Sequence, residues 1–334
     1  MRNIYILWGL LACIAFTSCY EEDTLTPTEG GVELRFKVPQ GNNSWDDDIA
    51  QIYENYNVYL IYKDLQRADF NRSWTGTSYG SGYEGQGCVN DEMANYYVEF
   101  MKKHIFAYLN PPITSKVLPM YWYLGYNVYS KSVLEIGGVI LASWIVPIHE
   151  NYDGLDYWCT CMFGEDNPSD PYLIPTDRAL LDRRRKMILA PVLEKAVKAG
   201  NIIIPEEFEV GFDHVTNLIA GLGMEDDPNY YLTRGYPGSV NTYVFNSTST
   251  PANNSYPPTN EETFIGYMHL SMFYNQARLA EVYPADKYPF LTEKFAFVQK
   301  YLKDKYQIDL EAIANGPEDW DLPLPPIPET PDEE

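Results

Sequence analysis

The N-terminus constrains the rest of the chain most. Ile4 to Phe16 is almost wholly apolar, follows one positive charge at Arg2, and runs into Phe16-Thr17-Ser18-Cys19. An apolar run of this length is too short to cross a bilayer and matches the core of a signal segment. Small residues ending in a cysteine read as a processing site whose cysteine becomes the acylated N-terminus. Residues 1–18 are therefore expected to be a signal peptide, and Cys19 the lipid-bearing first residue of the mature chain. Leu10-Leu11-Ala12-Cys13 has the same shape, but cutting there leaves a very short apolar segment and lets the run continue past the cut. A chain held at a membrane by one end has to bury its apolar residues within itself.

Tyr20-Glu21-Glu22-Asp23 follows the cysteine directly. Acidic residues there resemble the surface-export signal of lipoproteins of Gram-negative gut bacteria, so the expected location is the outer membrane, facing outward. Residues 19–31 read as a polar tether. No later run of about twenty apolar residues exists, so no further span is expected. The formal charge of -23 argues against nucleic acid as a partner, because binding phosphates takes clustered Lys and Arg. The dense basic run Arg183-Arg184-Arg185-Lys186 is expected on the solvated face of a helix. The chain holds 29 Tyr and 7 Trp, which suits carbohydrate stacking and protein interfaces, and equally a large β-containing core. Beyond Cys13 and Cys19, three thiols remain, Cys88, Cys159 and Cys161, an odd number that leaves at least one unpaired within the chain. A bond from Cys88 to one of the other two is open at this point.

Hydrophobic periodicity predicts strands at 34–38, 57–62, 121–129 and 138–145. Helices are predicted from a cap at Ser44 or Asp46 through Tyr53, from Asn90 or Asp91 to about Leu109, and from Thr176 or Asp177 to Ala199 with a kink at Pro191. Further helices are predicted in part of 205–223, over 261–281 and over 289–306. Residues 74–87, 147–175 and 236–258 are expected to be loops. Residues 316–334, rich in Pro and acid, are expected to be a disordered tail. The resulting class is α+β, a single domain over 32–315 with a small mixed sheet and a mainly helical C-terminal half.

Four phrases carry a resemblance. Trp45-Asp46-Asp47-Asp48-Ile49 leads through Tyr56-Asn57-Val58-Tyr59-Leu60-Ile61-Tyr62-Lys63. Gly137-Gly138-Val139-Ile140-Leu141 looks like a glycine-marked edge strand. Pro205-Glu206-Glu207-Phe208 looks like a Pro-x-x-Phe after a catalytic helix. Lys303-Asp304-Lys305-Tyr306-Gln307-Ile308-Asp309-Leu310 looks like a closing helix and its Y-x-I-D-L phrase. In this order they resemble the substrate import-associated zinc metallohydrolases, a family of zinc-binding metallo-peptidase lipoproteins. The resemblance implies a zincin-like fold, a bound zinc, and association with a TonB-dependent transporter and its partner lipoprotein in nutrient uptake.

The chemistry of that family does not follow. A zincin places two His at i and i+4 on one helix face, with Glu beside the first as general base. This chain has no HExxH. The resemblance puts the motif near Ala190-Pro191-Val192-Leu193-Glu194, where only Glu194 is a ligand type, and the acid of a later phrase is replaced by Gly266. No zinc is expected, and no catalytic residue is assigned. His149-Glu150-Asn151-Tyr152-Asp153 reads HExxD but lies between Pro147 and Gly154. His269, His104 and His214 read as packed or surface residues, and Cys88 has no base partner in the sequence. A carboxylate pair for glycoside hydrolysis stays open, with no spacing that singles one out. Two readings result: a non-catalytic binding pseudoenzyme that takes a glycan or peptide, or a hydrolase with nonstandard residues. A purely structural surface protein is the third. If a cleft remains between 138–141 and 189–194, Trp144, Tyr157, Trp158 and Tyr236 are the expected lining. Labelled fatty acid fed to the producing cells is expected to enter the wild-type chain and not Cys19→Ala; equal labelling of both would exclude Cys19 as the anchor.

Overall fold

The computed structural model describes residues 34–72, 81–152, 154–164, 175, 177–220, 223–237, 239–241, 244–246, 256–318, 320 and 322. The chain divides into Met1–Lys37 and Val38–Glu334. In the first unit residues 34–37 are described, with the Arg35 guanidinium 4.6 Å from the Phe36 ring centre. No strand forms over 34–38; the alternation there is real, but the backbone bends instead of extending. Cys19, the signal and the tether lie outside the described residues.

The second unit is α+β, as the sequence predicts. In chain order it contains α1 (Ser44–Tyr56), β1 (Tyr59–Ile61), α2 (Arg67–Phe70), β2 (Gly82–Gly87), α3 (Asp91–Phe100), α4 (Pro111–Thr114), β3 (Tyr121–Ile136), β4 (Val139–Pro147), β5 (Glu150–Asn151) and β6 (Tyr157–Phe163). Then follow α5 (Arg178–Lys198), α6 (Glu206–Glu209), β7 (Ser239–Asn241), β8 (Val244–Asn246), α7 (Asn260–Phe273), α8 (Gln276–Val282), α9 (Pro289–Tyr306) and α10 (Leu310–Asn315). Local chemistry sets most of these ends. Asn43, not Ser44 or Asp46, caps α1, and Asp46 closes a capping box with it. Asn90 caps α3, which continues as a π turn, Met101–Ile105, and a 3₁₀ turn, Phe106–Tyr108. Asn110 caps the short α4 rather than simply ending α3. Asp177 caps α5 through the Leu180 N–H.

The long strand β3 organises a six-stranded sheet. Its first half lies between the parallel strands β1 and β6; its second half pairs antiparallel with β2 and β4. β5 closes the β6 edge. β6 overturns the expectation of a loop over 147–175. All seven of its residues are buried, so it shows no alternation of apolar and polar positions, as expected of a strand covered on both faces. β2 likewise lies within the predicted loop at 74–87. Gly87 belongs there because an added Cβ would stand 2.4 Å from the Tyr62 carbonyl oxygen.

Between β3 and β6 the register slips, and Met162 is the extra residue between the pairs Gly125–Cys161 and Tyr126–Phe163. The Tyr97 hydroxyl fills the gap, accepting from the Met162 N–H and donating to the Gly125 carbonyl, both at 2.6 Å. Two backbone groups that the bulge removes from the ladder are thereby satisfied.

α5 crosses the centre of the molecule, with Leu181, Ile188, Leu189, Val192, Leu193 and Ala196 all in the core. The helix runs through Pro191, which lacks the N–H that the Met187 carbonyl would take; the Tyr152 hydroxyl stands 3.5 Å from that oxygen instead.

The basic run on α5 is not a solvated face. Arg184, Arg185 and Lys186 are buried. Arg184 bonds the His149 ring, the His149 and Cys161 carbonyls and, at 3.2 Å, the Glu150 carboxylate. Arg185 donates to the Ile313 carbonyl at 2.6 Å and Lys186 to the Ala314 carbonyl at 3.1 Å, while Asp182 pairs with both. At the other end of the described chain, Trp320 lies under the Arg178 guanidinium and edge-on to His104. Removing one partner of a buried ionic cluster strands the others. Arg184→Met is therefore expected to lose about 3–5 kcal/mol of unfolding free energy, read as a lower denaturant midpoint; an unchanged midpoint would contradict this role.

Candidate functional site

The expected motif position lies on the inner half of α5. Ala190 is buried there and faces α7, and the His269 Nε2 reaches the Ala190 carbonyl at 3.4 Å. A carbonyl only accepts, so this bond places the proton on Nε2. One turn further along, the Glu194 carboxylate stands 3.9 Å from the same nitrogen. Its other oxygen takes a 2.6 Å bond from Lys198. The fold thus joins three residues that the sequence places on two separate helices, and makes His269, read as a packed or surface residue, a buried neighbour of the motif position.

Electrostatics favour neutral His269. Burial pushes its pKa down, the Glu194 carboxylate pushes it back up, and Lys198 opposes Glu194. Lys198 itself is raised by its bond to Glu194. The arrangement holds a proton donor against a backbone oxygen. As a set of metal ligands it is incomplete. Zinc takes at least three protein ligands, and among the described residues no three His, Cys, Asp or Glu side chains gather as a metal site. Glu194 and His269 are two, and the His269 nitrogen nearest Glu194 carries the proton it gives to Ala190. The residues present therefore do not fit the zinc that the resemblance implies.

The HExxD segment is an edge strand rather than a helix. Glu150 begins β5, and the His149 ring is bound by Arg184. Asp153 lies outside the described residues. The three thiols are all free. Cys161 accepts from the Val128 N–H at 3.4 Å, and burial pushes its thiol up to about 11. Burial holds Cys88 and Cys159 far above the ordinary thiol range. A nucleophilic cysteine needs the thiolate, so Cys88 is unsuited to that role.

The four aromatic residues expected to line a cleft stand in four separate settings. Tyr157 stacks on Tyr123 at 4.6 Å and donates to the Phe70 carbonyl on one face of the sheet. Trp158 meets Trp122 and Tyr152 edge-on on the other. Tyr236 is buried in the helical half, where its hydroxyl donates to the Asp213 carbonyl at 2.8 Å. Trp144 lies on β4, half exposed. The glycine-marked segment opens an edge strand, since β4 pairs with β3 alone, but no residue from Val139 to Val146 is buried against a helix. Gly137 and Gly138, at φ +63° and +83°, form the two-residue turn joining β3 to β4. β4 projects as the outer strand of a hairpin in which every residue from Val139 to Val146 is exposed. The sequence predicts the strand at 138–145 but not the extension of β3 over 130–136 that pairs with it, although no charged residue occurs from Ile136 to Ile148.

No family model matches the chain, and no curated protein matches it. The fold is similar to a solved structure, a "putative zinc-binding metallo-peptidase" from Bacteroides caccae, at 11% sequence identity and a TM-score of 0.39. The match covers 82% of this chain and 92% of that one. A likeness at this level transfers neither ligands nor activity.

Because the folded protein holds His269 at a lowered pKa, the unfolded chain takes up a proton first as pH falls. Unfolding free energy is expected to decline below about pH 6.5, by at most about 1.4 kcal/mol per pH unit from this group. In His269→Asn that part of the slope should vanish when denaturation midpoints are compared between pH 7 and 5. An identical slope in both proteins would assign the decline to other groups.

Proposed function

We propose that this chain is a lipid-anchored accessory protein of a TonB-linked outer-membrane nutrient-uptake system, one that binds its ligand, a glycan or peptide, without cleaving it. The observation that carries the reading is the state of α5. Pro191 stands where the family's general base would be, Glu194 is paired with Lys198, and His269 gives its proton to Ala190. A water-activating metal needs several ligands with open lone pairs directed at one point, and here one Glu194 oxygen is held by Lys198 and the His269 Nε2 is turned to the Ala190 carbonyl. The lipidation pattern at Cys19 and the acidic Glu21-Glu22-Asp23 behind it support an outward-facing anchor. One acyl-bearing terminus holds a domain at a membrane without inserting it.

Elemental analysis of the purified protein is expected to find zinc well below one per chain, with the melting temperature unmoved by a strong chelator. Stoichiometric zinc whose removal lowers that temperature or abolishes a hydrolytic activity would establish the hydrolase reading instead.

A further inference from the structure

Beyond Lys131, where the pairing with β2 ends, the β3–β4 hairpin continues as a two-stranded ribbon, and its two faces differ. Alternate residues along a strand share a face, and the register pairs Ser132 with Trp144, Leu134 with Ala142 and Ile136 with Val139. One face therefore carries Leu134, Ile136, Val139, Ala142, Trp144 and Val146, with only Ser130 and Ser132 as polar members. The charges at Lys131 and Glu135 both fall on the opposite face, across from Ile145 and Ile140. The uncharged face is open: Ile136 is 64% exposed, Val139 60% and Trp144 50%. Two-stranded ribbons are marginal in water, and a contiguous apolar face of this kind marks a surface that is covered in use.

Size and charge indicate what covers it. Eight residues per strand at ~3.3 Å each, and two strands ~4.8 Å apart, give a face of roughly 260 Å². The accessible surface of these side chains exceeds that flat outline, but for a second copy seated on that face even twice the outline falls short of the ~800 Å² per partner of a standard interface. Each copy would also bring a charge of -23. A lipid surface has neither limit. It needs no matched shape, accepts an uncharged apolar strip to a depth of ~5–10 Å, and favours a Trp at the boundary of water and hydrocarbon. The free outer edge of β4 stays hydrated at that depth, so its backbone groups keep water as partners. The acidic body disfavours an anionic bilayer and fits a zwitterionic one.

We propose that the β3–β4 ribbon lies in the water–lipid interface of a zwitterionic bilayer, with the Trp144 face toward the lipid and Lys131 and Glu135 toward water. The proposal stands on the ribbon alone and does not depend on acylation at Cys19.

The test is positional. A polarity-sensitive fluorophore is attached to a new cysteine in the full chain, in Leu134→Cys, Ile145→Cys or Met224→Cys. At neutral pH the buried native thiols Cys88, Cys159 and Cys161 stay protonated, and the unsubstituted chain measures the background. With phosphatidylcholine vesicles containing a doxyl-labelled lipid, the Leu134 label is expected to shift to the blue and lose most of its intensity to the quencher. The Ile145 label, on the charged face, should respond less, and the Met224 label, away from the arm, not at all. No response at Leu134, or equal responses at Leu134 and Met224, would overturn lipid docking. Equal responses at Leu134 and Ile145 would overturn the assigned face. A blue shift at Leu134 without vesicles, together with a doubled mass in sedimentation, would replace the lipid with a second copy.

Discussion

Three consecutive cations on α5 hold the molecule together, and the rest of the fold is arranged around them. Arg184 reaches into the sheet, where it hydrogen-bonds two carbonyls and an imidazole and pairs ionically with the Glu150 carboxylate at the β5–β6 edge. Arg185 and Lys186 reach the other way, to the last carbonyls of α10. Those oxygens form the negative end of a helix, where a cation is favoured. Buried charge is costly unless paired and hydrogen-bonded. The fold meets that cost by directing strand and helix carbonyls, together with Asp182 and Glu150, at one stretch of helix. An apolar helix could fill the same volume, but it would not fix which oxygens face it. The cations therefore select a register as well as a position.

Much of this architecture is legible in the sequence, and the exceptions have physical causes. α9 spans the predicted residues because Pro289 at its first turn and the left-handed Gln307 after it mark both ends locally. α5 is likewise fixed by the Asp177 cap. The predicted helix at 261–281 breaks at Tyr274, where Asn275 caps a new one. β6 was hidden because a strand buried on both faces loses the period of two that identifies strands, and turn-forming residues surround it. The basic run was misjudged for a related reason. Charge is visible in a sequence, whereas the ring of carbonyls that makes burying it tolerable exists only after strands and helices meet.

The candidate site shows the same limit. Ala190, Pro191 and Glu194 were located from the phrases around them, but nothing local ties them to His269, 79 residues beyond Ala190. Once joined, they explain one another. Proline ends the possibility of a base at its own position, and its missing N–H is balanced by Tyr152 at Met187. The nearby imidazole turns to a backbone oxygen, and the carboxylate that remains is held by Lys198, one turn further along the helix.

The sheet's sulfur atoms bear on how such a chain matures. Cys88, Cys159 and Cys161 lie against β3 at Leu124, Gly125 and Val128 with every thiol unpaired, Cys159 and Cys161 buried and Cys88 half-buried, and Cys88 and Cys161 are hydrogen-bonded to backbone groups. No covalent crosslink among them fixes the register of β3 against β6; the Tyr97 hydroxyl and the packing do that. Assembly therefore requires neither an oxidant nor a disulfide-shuffling catalyst, and the finished protein gives a mild oxidant no accessible thiolate among these three. The same native structure is attainable in reducing and oxidising surroundings, so these cysteines carry no record of the compartment in which the chain folds.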